Sequence, residues 1–225
     1  DITLKLLKHL NSQNNLHELI RQITALMHEW SGCEAVAIRL KHGEDFPYFE
    51  TRGFPAEFVK AENSLCSRDP KGELIRESKG NPVLECMCGN VICRRFNPKL
   101  PFFSKNGSFW TNSTTKLLAS TSENDRQART RNRCQGEGYE SVALIPLIHG
   151  KETLGLLQFN DPRKNCFTEY DISLFERLST NLALGLVQRR DAQNLKASED
   201  KFSKAFHNAP MLMTLSEVED GTYLD

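Results

Sequence analysis

The stretch that most restricts the fold is ESVALIPLIHGKETLGLLQF, residues 140–159. Two apolar runs flank a His-Gly-Lys-Glu turn, the pattern of a β-hairpin. A hairpin so apolar is not stable alone in water and requires further elements packed against it. The flanking sequence supplies them. Directly downstream, FTEYD opens a helical pattern with Thr168 as its cap and Pro210 as its first break. Its apolar residues Ile172, Phe175, Leu178, Leu182 and Leu186 keep three- and four-residue steps. Beyond Val187 the stripe thins, so the helix is expected to leave the core there, run on to about residue 200 and mediate a parallel dimer.

Upstream, ITLKLLKHLNSQNNLHELIRQITALMHEW predicts two helices divided by the polar NSQNN. CEAVAIRLK and DFPYFETRGF then read as strand, turn and strand, and GFPAEFVK as the start of a short helix. Residues 62–107 have poor periodicity and many Gly, Pro, Asn and Ser residues. Long irregular sections of this kind are usually functional or disordered. GSFWTNST resumes as a short strand, and SENDRQARTRNRC predicts a helix with Ser122 as N-cap and Asp125 at its third position.

Composition removes several function classes. Lys plus Arg and Asp plus Glu are balanced at 29 each, so no overall field draws the chain to nucleic acid or an acidic membrane. No apolar run reaches bilayer length, and Asp1 does not open a secretory signal. The segment therefore reads as cytoplasmic, without membrane contact, and, beginning without Met, as part of a longer protein. A phosphate-binding Gly-rich loop, His-Glu-x-x-His and Gly-x-Ser-x-Gly are all absent from the string, and no catalytic residues are assigned.

The chemistry-bearing stretch is LECMCGNVIC, which places Cys86, Cys88 and Cys93 within eight positions of a chain that has seven cysteines. In an extended segment Cys86 and Cys88 point to one side, Gly89 permits a sharp reversal, and Cys93 returns toward them. Cys66 and Cys134 are the candidates for a further thiol, whereas Cys33 and Cys166 read as separate. Cytosolic thiols are kept reduced, so such a cluster has three readings: inert buried thiols or an incidental disulfide, a ligand set for zinc, an iron-sulfur cluster or haem iron, or a redox pair. Nearby, DRQARTRNRC sets Arg126, Arg129 and Arg133 on one face of the predicted helix. That face is either solvated and internally paired or meets an anionic ligand, haem propionates included.

The order of helix, strands, irregular insert, the hairpin SVALIPLIHGKETLGLLQF, and F-T-E-Y-D opening a long helix resembles the GAF domain over roughly residues 3–190. The resemblance implies an α+β fold: an antiparallel sheet flanked by N- and C-terminal helices, with a long C-terminal signalling helix. It also implies a small-molecule pocket close to Phe109, Trp110 and Asn112. The cyclic-nucleotide signature of many such domains is not matched, since Asp161 follows Asn160 and Ile172 follows Asp171. The Cys-His and Asp-x-Cys-Phe strings of bilin attachment do not occur. LKASEDKFSKAFHNAPMLMTLSEVEDGTYLD resembles the start of a PAS domain. The expected division is therefore a GAF domain at 1–190, a helical linker at 191–199 and a truncated PAS start at 200–225, as in bacterial and archaeal sensor histidine kinases.

The expectation is a ligand- or redox-sensing module, homodimeric through its N- and C-terminal helices, in a two-component phosphorelay. The alternatives are a catalytic GAF domain using cysteine redox chemistry, such as a methionine-sulfoxide reductase, and a pure dimerisation spacer.

Overall fold

The computed structural model describes residues 2–12, 15–126, 130–207, 215–216 and 223–224. Residues 1–184 and 185–225 form two compact units. In chain order the first unit contains α1 (Ile2–Ser12), α2 (Leu16–Ser31), β1 (Ala35–Leu40), β2 (Tyr48–Arg52), α3 (Ala56–Glu62), α4 (Cys86–Ile92), β3 (Phe109–Thr111), α5 (Thr114–Ser120), α6 (Arg133–Gly136), β4 (Ser141–His149) and β5 (Glu152–Asp161). Helix α7 (Glu169–His207) begins there and continues into the second unit, where β6 (Leu215–Ser216) pairs antiparallel with β7 (Tyr223–Leu224). The Asn-Ala-Pro break at 208–210 lies outside the described residues.

The five strands of the first unit form one antiparallel sheet in the order β2-β1-β5-β4-β3. The predicted hairpin is β4–β5, paired from Ser141↔Asp161 to His149↔Glu152, and it occupies the middle of the sheet. The fold is thus α+β, with α1 and α2 before the five-stranded sheet and α7 after it. Alternation along the strands gives the sheet two interior faces. On one, Phe159 stacks on Phe175 of α7 with ring centroids 4.1 Å apart, and Trp30 of α2 meets Phe175 edge-on at 5.9 Å. The other face is covered by α4 and the segments around it.

Local signals set the helix ends. Asn15 Oδ1 accepts from the backbone N–H of His17 at 2.8 Å, and Gly32 ends α2 in the left-handed region at φ 61°. At the start of α7, Thr168 and Asp171 cap each other: Asp171 Oδ2 accepts from Thr168 N at 2.8 Å, and Thr168 Oγ1 accepts from Asp171 N at 3.2 Å. Ile172, Phe175, Leu178 and Leu182 are buried and Leu186 half-buried, while residues after Val187 are largely exposed. That is the exit from the core that the stripe predicts.

Two expectations change. The insert is ordered: backbone bridges pair Cys66 with Leu84, Arg68 with Leu74 and Arg76 with Pro82, around turns at Asp69–Gly72 and Glu77–Gly80. Its Gly and Pro residues are turn formers in a small meander, which hydropathy periodicity does not reveal. Nor does SENDRQARTRNRC form one helix. Ser122 and Asp125 close a capping turn, residues 127–129 lie outside the described residues, and Asn132, at φ 55°, breaks the helical path before the four-residue α6.

Asp161, which stands where the cyclic-nucleotide signature would have another residue, joins the end of β5 to the start of β1. Its carboxylate accepts from Glu34 N at 3.0 Å and from Arg163 N, Nε and Nη2, each at 2.8 Å. Arg163 Nη2 also donates to Gly32 O. Burial alone would raise the Asp161 pKa, but the hydrogen bonds from Arg163 and Glu34 bring it down to about 2. A depressed carboxyl stabilises the fold above its unfolded value, and that stability is lost as pH falls through the folded value. Asp161→Asn should therefore cost about 2 kcal/mol at neutral pH, measured by urea unfolding, and the gap to wild type should shrink as pH falls from about 4 toward 2. Equal stabilities at pH 7 would remove this latch.

Candidate functional site

The face of the sheet opposite α2 and α7 carries polar groups that a purely apolar packing surface would not hold. Arg39 on β1 is 1% exposed. Its Nη1 donates to Phe46 O at 2.9 Å and Asn63 O at 3.0 Å, its Nη2 donates to Glu62 O at 2.6 Å, and its guanidinium carbon lies 3.5 Å from the centre of the Tyr48 ring. A β-bulge between Ile38 and Arg39 in the β1–β2 pairing sits at this residue. The Tyr48 hydroxyl donates to Gln158 Oε1 at 3.3 Å, and Gln158 Nε2 donates to Asn160 Oδ1 at 3.0 Å. A polar row therefore crosses the sheet interior from β2 to β5. Asn160 is fully buried, and its Nδ2 closes no hydrogen bond, although the amide is near enough to Cys134 to favour that residue's thiolate.

Arg131 fastens the segment above this row. Its Nε donates to Glu85 Oε2 at 2.9 Å, its Nη1 donates to Ser64 O at 2.9 Å, and it lies 3.7 Å from Glu62 Oε2. Glu85 also accepts from Ser67 Oγ at 2.8 Å. Burial raises the Glu62 carboxyl, opposed by the charges of Arg131 and Arg39. Glu85 immediately precedes α4, so these contacts set where that helix begins.

LECMCGNVIC is not extended, because residues 86–92 are helix α4. Gly89 lies within the helix and makes no reversal. A Cβ there would come within 2.6 Å of both the carbonyl carbon and oxygen of Leu84, so glycine allows α4 to press against the segment leading into it. Cys86, the first helical residue, has φ 64°, a left-handed conformation rare for a side chain of this kind. Its thiol lies against Cys88. That contact pulls it below the ordinary thiol range, to about 7, against burial and with help from the backbone N–H groups of Arg131 and Met87. The same contact, with burial, pushes Cys88 well up. Burial, and then the Cys86 charge, push Cys134 to about 12. The contact thus favours the thiolate at Cys86 and the thiol at Cys88 and Cys134.

Cys86, Cys88 and Cys134 line a single cavity of about 50 Å³, closed otherwise mostly by apolar groups including Phe109, Leu117 and Leu144. Cys93 does not join them. It is exposed at the opposite end of α4, near Arg95 and Glu77. Cys66 is buried elsewhere, its Sγ 3.8 Å from Glu44 O. The five cysteines of the expected set thus do not come together, and among the described residues no group of three or more Cys, His, Asp or Glu is placed to hold a metal ion. The cavity is also too small for haem, since ligand pockets for organic molecules start at roughly 300 Å³.

Arg126 and Arg133 do not share a helix: Arg126 lies in a turn and Arg133 opens α6. Arg126 is buried beside the thiols, its Nη1 donating to Thr121 O and Oγ1 at 2.7 Å each, while its Nε closes no hydrogen bond. Arg133 reaches the cavity and pairs with Glu137 at 2.7 Å. Arg129 lies outside the described residues. Asn112 has a fastening role, with Oδ1 accepting from Phe167 N at 3.0 Å and Nδ2 donating to Phe167 O at 2.7 Å. Trp110 instead lines a second, wider cavity of about 580 Å³ with Lys116, Thr121 and Asp125.

Comparison with known families settles the scaffold. The GAF domain profile matches residues 15–186. The chain belongs to the GAF domain family. Among solved structures this GAF domain is similar to that of a phosphoenolpyruvate-protein phosphotransferase from Coxiella burnetii, at 14% identity and TM-score 0.57, covering 86% of this chain and 95% of the other. It is similar to the free methionine-R-sulfoxide reductase of Neisseria meningitidis at 13% identity and TM-score 0.56, covering 85% and 89%. A domain of a putative two-component sensor histidine kinase protein from Sinorhizobium meliloti 1021 gives 12% identity and TM-score 0.52, covering 82% and 99%. No curated protein sequence matches the chain. At these identities the likenesses concern fold alone.

Sequence reasoning passed over Arg39, Tyr48, Glu62, Arg131 and Gln158, and weighed Asn160 only against the cyclic-nucleotide signature. One signal was available: Arg39 interrupts AVAIRL, and Gln158 and Asn160 recur at strand period in LLQFN, which marks polar side chains on one face of buried strands. The close approach at Gly89 is directly testable. Gly89→Ala should destabilise the protein by about 1–3 kcal/mol in urea unfolding despite the better helix propensity of alanine. A neutral or stabilising result would mean that α4 does not press on Leu84.

Proposed function

We propose that this GAF domain is the sensing module of a two-component sensor histidine kinase, receiving a small-molecule or redox signal at the thiol-lined cavity. The observation that carries the reading is the division of the sheet. One face holds a buried polar row and three thiols, while the other is packed against α2 and α7, and α7 continues 20 residues past Val187 in polar sequence. A change in packing on the first face can thus bias helices that leave the domain. The likeness to the Sinorhizobium meliloti domain supports the parent class, and the exposed Leu4, Leu7 and Leu184 support a homodimer through α1 and α7. In this reading the protein is cytoplasmic and residues 200–225 begin a PAS domain. Among the described residues no helix is long and apolar enough to cross a membrane.

The three thiols at one cavity favour one second reading, reduction of a sulfoxide as in the Neisseria meningitidis enzyme. Turnover of methionine sulfoxide by the purified chain with a dithiol reductant would establish it in place of sensing. For the sensing reading, inserting two residues after Arg190 turns the downstream helix by about 200°, whereas inserting seven nearly restores its face. Autophosphorylation of the full-length kinase should be altered by the first insertion and restored by the second. Equal activity in both variants and wild type would exclude transmission through α7.

A further inference from the structure

We infer that Cys86 is an oxidation site for hydrogen peroxide and that Cys88 resolves the oxidised form as an intramolecular disulfide. This deepens the sensing reading by naming its input, but the chemistry stands on the cavity alone. Three of the chain's seven cysteines open to one space of about 50 Å³. A space that small admits one or two molecules of water size and excludes bulky ones. Cys86 and Cys134 are partly exposed, while Cys88 is buried.

Two further features suit the cavity to peroxide. Arg126, 6% exposed, lines it, its buried Nε–H closes no hydrogen bond, and its backbone is held to α4 by Asn90 Nδ2, which donates to Arg126 O at 2.7 Å. A cationic donor with spare capacity can stabilise the hydroxide that leaves when an O–O bond breaks. Second, the thiolate is the reacting form, and contact with Cys88 favours it at Cys86 while holding Cys88 protonated. Glu62 opposes the Cys86 charge, and Arg131 neutralises Glu62.

The steps balance. The Cys86 thiolate attacks one peroxide oxygen, the O–O bond breaks, and the departing hydroxide takes the proton that Cys86 released, giving water and a Cys86 sulfenic acid. The Cys88 sulfur then attacks the Cys86 sulfur. The S–O bond breaks as the S–S bond forms, and hydroxide with the Cys88 proton gives a second water. Two thiols are oxidised and one peroxide is reduced, and a dithiol reductant reverses the change. Cys134 stays a thiol, because direct contact with Cys86 belongs to Cys88.

The test treats the 225-residue chain with hydrogen peroxide, alkylates the remaining thiols and maps the cysteine peptides by mass spectrometry. The inference expects a Cys86–Cys88 disulfide reversed by dithiothreitol, and in Cys88→Ser a Cys86 sulfenic acid trapped by dimedone. Arg126→Met should slow the oxidation by roughly ten- to a hundredfold, and cumene hydroperoxide should react at least about tenfold more slowly than hydrogen peroxide because of its bulk. Cys86 and Cys88 both recovered as alkylated thiols, under conditions that oxidise glutathione, would overturn the inference. A disulfide from Cys86 to Cys134 with Cys88 free would overturn the assignment of Cys88. Disulfide formation with no change in kinase output would remove the sensing reading while leaving the chemistry in place.

Discussion

The burial of Arg39 organises the thiol-bearing face of this domain. A guanidinium taken out of water is costly unless its donors are met, and here three backbone carbonyls take the Nη1 and Nη2 donors and the ring of Tyr48 faces the guanidinium, while Nε closes no hydrogen bond. Those carbonyls belong to Phe46, Glu62 and Asn63, so one side chain on β1 sets the entry to β2 and the end of α3. From α3 the electrostatic contacts continue: Glu62 faces Arg131, Arg131 binds Glu85, and Glu85 leads into α4. The position of the thiols thus traces back to a charge in the middle of the sheet.

The sheet itself divides the thiol-bearing face from the face packed against α2 and α7. Side chains on adjacent strand positions point to opposite faces, so Gln158 and Asn160 look toward the thiols while Phe159 between them stacks on α7. No long path is needed to connect the two sides. A shift of β5 by a fraction of an ångström would be felt on both, because close-packed interiors transmit displacement and do not absorb it. Closing a disulfide at the start of α4 would alter the packing on one face in that way, and the aromatic contacts of Phe175 with Phe159, Phe167 and Trp30 lie on the other.

The thiols also show how one local contact can divide the chemistry of identical groups. Cys86, Cys88 and Cys134 share a cavity, yet one is drawn toward ionisation and two are held protonated. The left-handed backbone at Cys86 is strain of the type that persists where surrounding structure over-determines a residue, and Arg131, Glu85 and the Gly89–Leu84 contact supply that constraint. Cys93, only seven residues from Cys86 in sequence, is excluded because a helix separates them.

The sequence by itself determined the elements with strong periodicity: the hairpin of residues 140–159, the capped helix from Thr168 with its stripe ending near Val187, and the paired N-terminal helices. Each follows from short-range patterns of apolar spacing and capping, which act within a few residues and survive any tertiary arrangement. The α+β scaffold of the GAF family followed from their order. Tertiary structure alone decided which cysteines meet. Cys134 reaches Cys86 across 48 positions because α6 is brought against α4, and Cys93 is turned away by the helix that the spacing C-x-C-x4-C did not reveal. It also decided that Arg126 and Arg133 do not share a helix face, because Asn132 breaks the path between them, and that Asn112 is consumed by Phe167. Such outcomes depend on contacts between distant segments and on the cost of burying polar groups, and neither is written in local spacing.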